Sequence, residues 1–107
     1  MERSAKQMAD LLKPLANENR LRIICALLKG AKTVGEIGKQ VSGISAPALS
    51  QHLAVLKAHG ILSCEKCGMN NLYAIADGRA LEIMRVLGKY YCEKNCEDEK
   101  NDEDEAQ

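Results

Sequence analysis

Apolar residues recur along the chain at intervals of three and four, give way once to a shorter period, and then resume. "SAKQMADLLKPLA" (4–16) sets Met8, Leu11, Leu12 and Leu15 at helical spacing. Ser4 is placed to cap this helix, and Pro14 to end or bend it near its last turn. "NENRLRIICALLKG" (17–30) predicts a second helix, capped by Asn17 and closed by Gly30, with Leu21, Ile24, Cys25 and Leu28 on one stripe. A short third helix follows in "TVGEIGKQV" (33–41), where Thr33 and Glu36 stand at capping-box spacing. "SGI" turns the chain into "SAPALSQHLAVLKAHG" (45–60). Here Ser45 caps, Pro47 is tolerated in the first turn, Gly60 stops the helix, and Leu49, Leu53 and Leu56 form its buried stripe.

The helical period breaks in "ILSCEKCGMNNLYAI" (61–75). Two short β-like runs flank "CGMNN", whose Gly and Asn residues supply hairpin geometry. Helical spacing returns in "DGRALEIMRVLGKYYCEKNC" (77–96), with Asp77 as cap. Leu81, Met84, Leu87, Gly88 and Tyr91 share one face, widened by Ile83, Val86 and Tyr90. The fold class expected is mainly α with a small β-hairpin, in the order ααααββα.

Composition adds three facts to this outline. The chain has 107 residues, enough for one domain, and its aromatics are three Tyr with no Phe or Trp, so the core is aliphatic. No apolar run reaches spanning length and no secretory signal is present, which predicts a cytoplasmic protein without a membrane partner. The formal net charge of +0 hides a division. Residues 93–107 carry eight Asp/Glu against Lys94 and Lys100, which leaves residues 1–92 with 13 Lys/Arg, 7 Asp/Glu and a net charge of +6. The expected organisation is therefore a basic folded domain, 1–92, suited to a polyanion, followed by an acidic, disordered tail, 93–107.

Helix three, a tight turn and helix four have the helix-turn-helix arrangement. Its second helix enters a major groove roughly 12 Å wide only if its outward side chains are short or hydrogen-bond to base edges. Ser45, Ala46, Ser50, Gln51 and His52 meet that condition, and Lys57 lies on the same open side. The hairpin, with Lys66, Asn70 and Asn71 near its tip, has what a wing needs to grip phosphate or minor groove. No nucleophile–base pairing beyond the thiols and no phosphate-binding Gly loop points to an enzyme.

"LANENRLRIICALLKG", "TVGEIGKQV", "SAPALSQHLAVLKAHGIL" and "NLYAI" resemble, in order, the winged helix-turn-helix repressors of the ArsR/SmtB family. The likeness covers roughly residues 5–92, and "LSQHLAVLKAHGIL" is its most specific part. It implies a homodimer through the first and last helices, whose apolar faces at 8–15 and 81–91 suit that role. A two-fold dimer reads double-stranded operator DNA as an imperfect inverted repeat.

Within that resemblance the inducer is read from ligand residues. Residues 77–96 contain no His, and "KTVGEIGKQ" contains no Cys, so both familiar metal sites of the family are missing. Cys25 in "RIICALL" and Cys92 after "GKYY" look like the two cysteines of the HlyU/BigR/SqrR-type branch. The resemblance makes them a switch for oxidants or reactive sulfur species, with no cofactor. Linking them closes a loop of about 67 residues, which in the simple chain model is worth roughly 4–5 kcal/mol. Two other readings stay open. Cys64, Cys67, Cys92 and Cys96 have thiolate spacings suited to As(III) or Cd(II) sensing. The same four residues suit a structural Zn(II) site in an adaptor that does not bind DNA.

Overall fold

The computed structural model describes residues 2–91. The expectations for Cys92, Cys96 and segment 93–107 lie outside the described residues. The order is α1 (Glu2–Leu12), a 3-10 turn (Lys13–Leu15), α2 (Glu18–Ala26), β1 (Lys32–Thr33), α3 (Val34–Gln40), α4 (Ala46–Ala58), β2 (Leu62–Cys67), β3 (Asn70–Ile75) and α5 (Gly78–Tyr91). This is the expected sequence of elements with one strand added.

Local chemistry sets most of the boundaries. The Asn17 side chain accepts from the Arg20 amide at 3.1 Å and starts α2. At α3 the capping box closes in both directions: Thr33 N–H donates to Glu36 Oε1 at 2.8 Å, and Glu36 N–H donates to Thr33 Oγ1 at 3.2 Å. Ser45 Oγ accepts from the Ala48 amide at 3.2 Å and opens α4, with Pro47 in the first turn. The same helix ends in a Schellman motif. Gly60, at φ +76°, donates to the Lys57 carbonyl at 2.9 Å, and Ile61 donates to the Leu56 carbonyl at 3.0 Å. Asp77 Oδ1 accepts from the Arg79 amide at 2.9 Å and begins α5.

Three expectations change. α1 already runs from Glu2, so Ser4 is an interior residue rather than the cap. An acidic Glu2 in the first turn suits the positive end of the helix dipole. α2 stops at Ala26, and the chain reaches Gly30 through a tighter turn in which Leu27 and Leu28 donate to Ile24 and Cys25 carbonyls. Finally, the hairpin is part of a three-stranded antiparallel sheet in the order β1-β3-β2. Lys32 pairs with Tyr73 and Thr33 with Leu72.

The core lies where α2, α3 and α4 meet the base of the hairpin and the first turns of α5. Ile23, Ile24, Ile37, Leu53, Leu56 and Ile61 are all less than 2% exposed. The α2 stripe is displaced from the predicted one: Ile23, Ile24, Ala26 and Leu27 are buried, whereas Leu21, Cys25 and Leu28 are half-buried. Ala80 and Met84 bring α5 onto this core, while α1 contributes no buried residue.

Candidate nucleic-acid interface and thiol centre

On α4 the two faces separate cleanly. Leu49, Leu53 and Leu56 are buried, and Ser45, Ala46, Ser50, Gln51, Ala54 and Lys57 are exposed. No exposed residue of that outer face is larger than Gln or Lys, so the backbone of α4 stands close to the molecular surface. Ser45 spends its hydroxyl on the cap. His52 is half-buried, and the Arg20 guanidinium Nη1 stands 3.5 Å from its Nδ1. That places His52 at the seam between α4 and α2 rather than on the fully open face.

Two arginines on α2 hold the helix-turn-helix unit. Arg20 Nε donates to the Pro14 carbonyl at 2.6 Å while reaching His52. Arg22 Nη2 donates to the Ser42 carbonyl at 2.8 Å, within the turn that connects α3 to α4. The grip of Arg22 on the turn depends on a non-local contact that helix periodicity does not reveal.

β2 and β3 pair without a break from Leu62↔Ile75 to Cys67↔Asn70. The two-residue loop between them is Gly68–Met69, with Gly68 at φ +65°, a conformation that favours glycine. Lys66 and Asn71 are paired directly across the hairpin, Asn70 is next to the loop, and all three are exposed. Met69 at the tip is 95% exposed.

The cysteines fall into different environments. Cys25 is half-buried on α2 and is disulfide-bonded. Cys64 and Cys67 are free thiols. They occupy positions three apart on β2, so strand alternation sends their side chains to opposite faces, with Cα atoms about 10 Å apart. That separation is beyond disulfide reach, and the divergence is unsuited to a shared metal ion. Cys64 lies on the inner face opposite Tyr73. Burial pushes the Tyr73 hydroxyl up, and its hydrogen bond to the Cys64 thiol adds to the shift. Among the described residues, no group of three or more His, Cys, Asp and Glu side chains gathers as a metal site. No described helix is long and apolar enough to cross a membrane.

A helix-turn-helix followed by a paired hairpin defines the winged helix-turn-helix class, and comparison with known proteins agrees. Residues 17–63 match the signature described as bacterial regulatory protein, arsR family. The transcriptional activator HlyU of Vibrio cholerae is 35% identical over 95 residues, covering 89% of this chain and 87% of that protein. The biofilm growth-associated repressor of Xylella fastidiosa is 35% identical over 92 residues, covering 86% and 80% respectively. The structure of reduced HlyU from Vibrio cholerae N16961 superposes with a TM-score of 0.81 at 34% identity, over 87% of this chain and 97% of that one. A homodimeric winged helix-turn-helix DNA-binding domain, Mb0332 from Mycobacterium bovis, matches with a TM-score of 0.71 at 26% identity, over 82% of this chain and 81% of that one. The chain belongs to the arsR family of bacterial regulatory proteins. Its relatives are transcriptional regulators rather than enzymes.

Proposed function

We propose that this protein is a homodimeric repressor that binds an imperfect inverted-repeat operator and releases it when Cys25 and Cys92 are joined by a disulfide or polysulfide. The observation that carries the DNA-binding half is the division of α4 into a buried leucine stripe and an exposed face of short polar residues. Such a face enters the major groove with Ser50 and Gln51 toward base edges, Gln being suited to adenine. Lys57 and the wing residues Lys66, Asn70 and Asn71 serve the flanking backbone. The exposed Met8 and Leu12 of α1 and Val86, Leu87, Tyr90 and Tyr91 of α5 supply an apolar surface for a second copy. Mb0332, a homodimer of the same fold, supports that assembly.

The thiol half is supported by the bonded state of Cys25 against the free Cys64 and Cys67. Cys25 shares α2 with Arg20 and Arg22, which hold His52 and the Ser42 turn. Strain applied at Cys25 therefore acts on the helix that positions α4, and a shift of half-site spacing in a two-fold dimer is enough to release the operator. The relatives' names include both an activator and a repressor. Release on oxidation makes repression the direction proposed here.

The test is fluorescence anisotropy with promoter DNA from upstream of the protein's own coding sequence, using reduced protein and protein treated with glutathione persulfide. Reduced wild type binds and treated wild type releases. Cys25→Ser and Cys92→Ser stay bound after treatment, whereas Cys64→Ser and Cys67→Ser release as wild type does. A response that needs the wing cysteines and ignores Cys25 would overturn the thiol assignment. Absence of binding at low salt would overturn the DNA-binding one.

A further inference from the structure

A cleft of about 390 Å³ opens beside Cys25, between α2, β1 and the end of α3. Arg22, Lys29 and Lys32 line it together with Cys25, and no carboxylate of the described residues does. Helical geometry explains Arg22, because a position three before Cys25 lies on its own face of α2, and the turn that follows α2 carries Lys29. β1 adds Lys32 from the opposite wall. Arg22 donates to the side-chain oxygen of Asn19 at 3.2 Å and to the Ser42 carbonyl at 2.8 Å, both neutral acceptors, so these bonds orient its charge without cancelling it. Among the described residues the charged groups of this concave wall are all cationic, and such a wall concentrates anions. Its volume suits a small molecule at the lower end of the usual range.

We propose that this cleft is the entry site for the sulfur donor that modifies Cys25, and that it selects an anionic one: a small persulfide carrying carboxylate groups. The inference rests on Cys25 being the sensing thiol. With a persulfide R–S–SH, the Cys25 thiolate attacks the outer sulfur, a Cys25–S–SH bond forms, and R–S⁻ leaves. A second cysteine thiolate then attacks the Cys25 sulfur, the protein disulfide forms, and HS⁻ departs. The donor supplies the two-electron oxidising equivalent, the Cys25 persulfide carries it into the second step, and no other reactant is required. The cations serve twice, by favouring the Cys25 thiolate and by holding the donor's carboxylate beside it.

Anion selection separates from simple thiol activation by comparing two alkylating agents of similar size, iodoacetate and iodoacetamide. A more reactive thiolate speeds both, whereas a cationic entry site favours only the anion. The reduced full-length protein is treated with each reagent, and modification at Cys25 and at the exposed Cys67 is followed by peptide mass spectrometry. The iodoacetate-to-iodoacetamide rate ratio at Cys25 should exceed that at Cys67 by about tenfold, and should fall as salt rises. Lys32→Gln, which replaces no described hydrogen bond, should lower the ratio at Cys25 by about threefold, slowing iodoacetate more than iodoacetamide. Arg22→Gln should lower it further, with circular dichroism checking its fold. Equal ratios at the two cysteines, a ratio insensitive to Lys32→Gln, or a Cys25 that reacts with neither reagent would each overturn the proposal. Diamide, a neutral oxidant, tests the underlying reading apart from the cleft. If diamide links the cysteines without releasing DNA, the switch fails even where the anion preference holds.

Discussion

α4 and α1 are amphipathic helices of 13 and 11 residues, yet only one of them is completed by its own chain. α4 buries three leucines under the hairpin and α2, and presents only small polar groups outward. α1 buries nothing and leaves Met8 52% and Leu12 48% exposed. The far end of α5 resembles α1, with Tyr90 and Tyr91 75% and 79% exposed. A helix as short as α1 is marginal in water when nothing packs on it. Among the described residues, the contrast divides the molecule into a packed helix-turn-helix unit and two outer helices with exposed apolar faces.

The largest effect expected from this contrast is on the core side. Leu53→Ala should cost about 2–5 kcal/mol in urea unfolding, because a 1% exposed side chain leaves a cavity that its neighbours fill only partly. Its counterpart, Leu12→Glu, should leave the circular dichroism of the protomer nearly intact and shift sedimentation from dimer to monomer. A variant at Leu12 that unfolds the protomer as Leu53→Ala does would break the distinction. An intermediate effect belongs to the outer face of α4. Gln51→Ala should weaken specific DNA binding by about 1–3 kcal/mol at the base it touches, while unfolding stability stays within about 0.5 kcal/mol.

The smallest effect concerns the entrance to the reading unit. Thr33→Ala should cost about 1 kcal/mol by removing the α3 cap. Glu36 sharpens this through pH, since its backbone hydrogen bond to Thr33 holds its carboxyl below the ordinary value. A folded-state pKa lowered in this way contributes stability above the unfolded value, and that contribution disappears as pH falls through the folded one. Asp77 follows the same rule, lowered first by its side-chain bond to Arg79. Urea midpoints measured from pH 7 to pH 3 (chosen to span both carboxylates) should decline less steeply in Glu36→Gln than in wild type.

What the sequence disclosed follows from how local each feature is. Asn17, Thr33 with Glu36, Ser45 and Asp77 announce their helices because a cap is a contact across two or three residues. The leucine stripe of α4 was legible for the same reason. β1 was not: two residues carry no period, and their partners Tyr73 and Leu72 lie some forty positions away. The displaced core face of α2 came from tertiary packing, which draws Ile23 and Leu27 inward and leaves Cys25 at the margin. At the candidate site, the polar face of α4 and the wing tip could be named in advance. The cationic cleft could be named only in part, since Arg22 flanks Cys25 by helical spacing but Lys29 comes from the turn after α2 and Lys32 through β1. The opposed directions of Cys64 and Cys67 became definite once both were seen on one strand.

β1 is two residues long, and its consequence is mechanical. Thr33 both pairs with Leu72 and caps α3, so the same residue belongs to the wing sheet and to the start of the helix-turn-helix. The hairpin and the reading helix are thereby bolted into one lever. On the proposed switch, a movement of α2 would carry α4 and the wing together, and operator release is expected in a single kinetic phase.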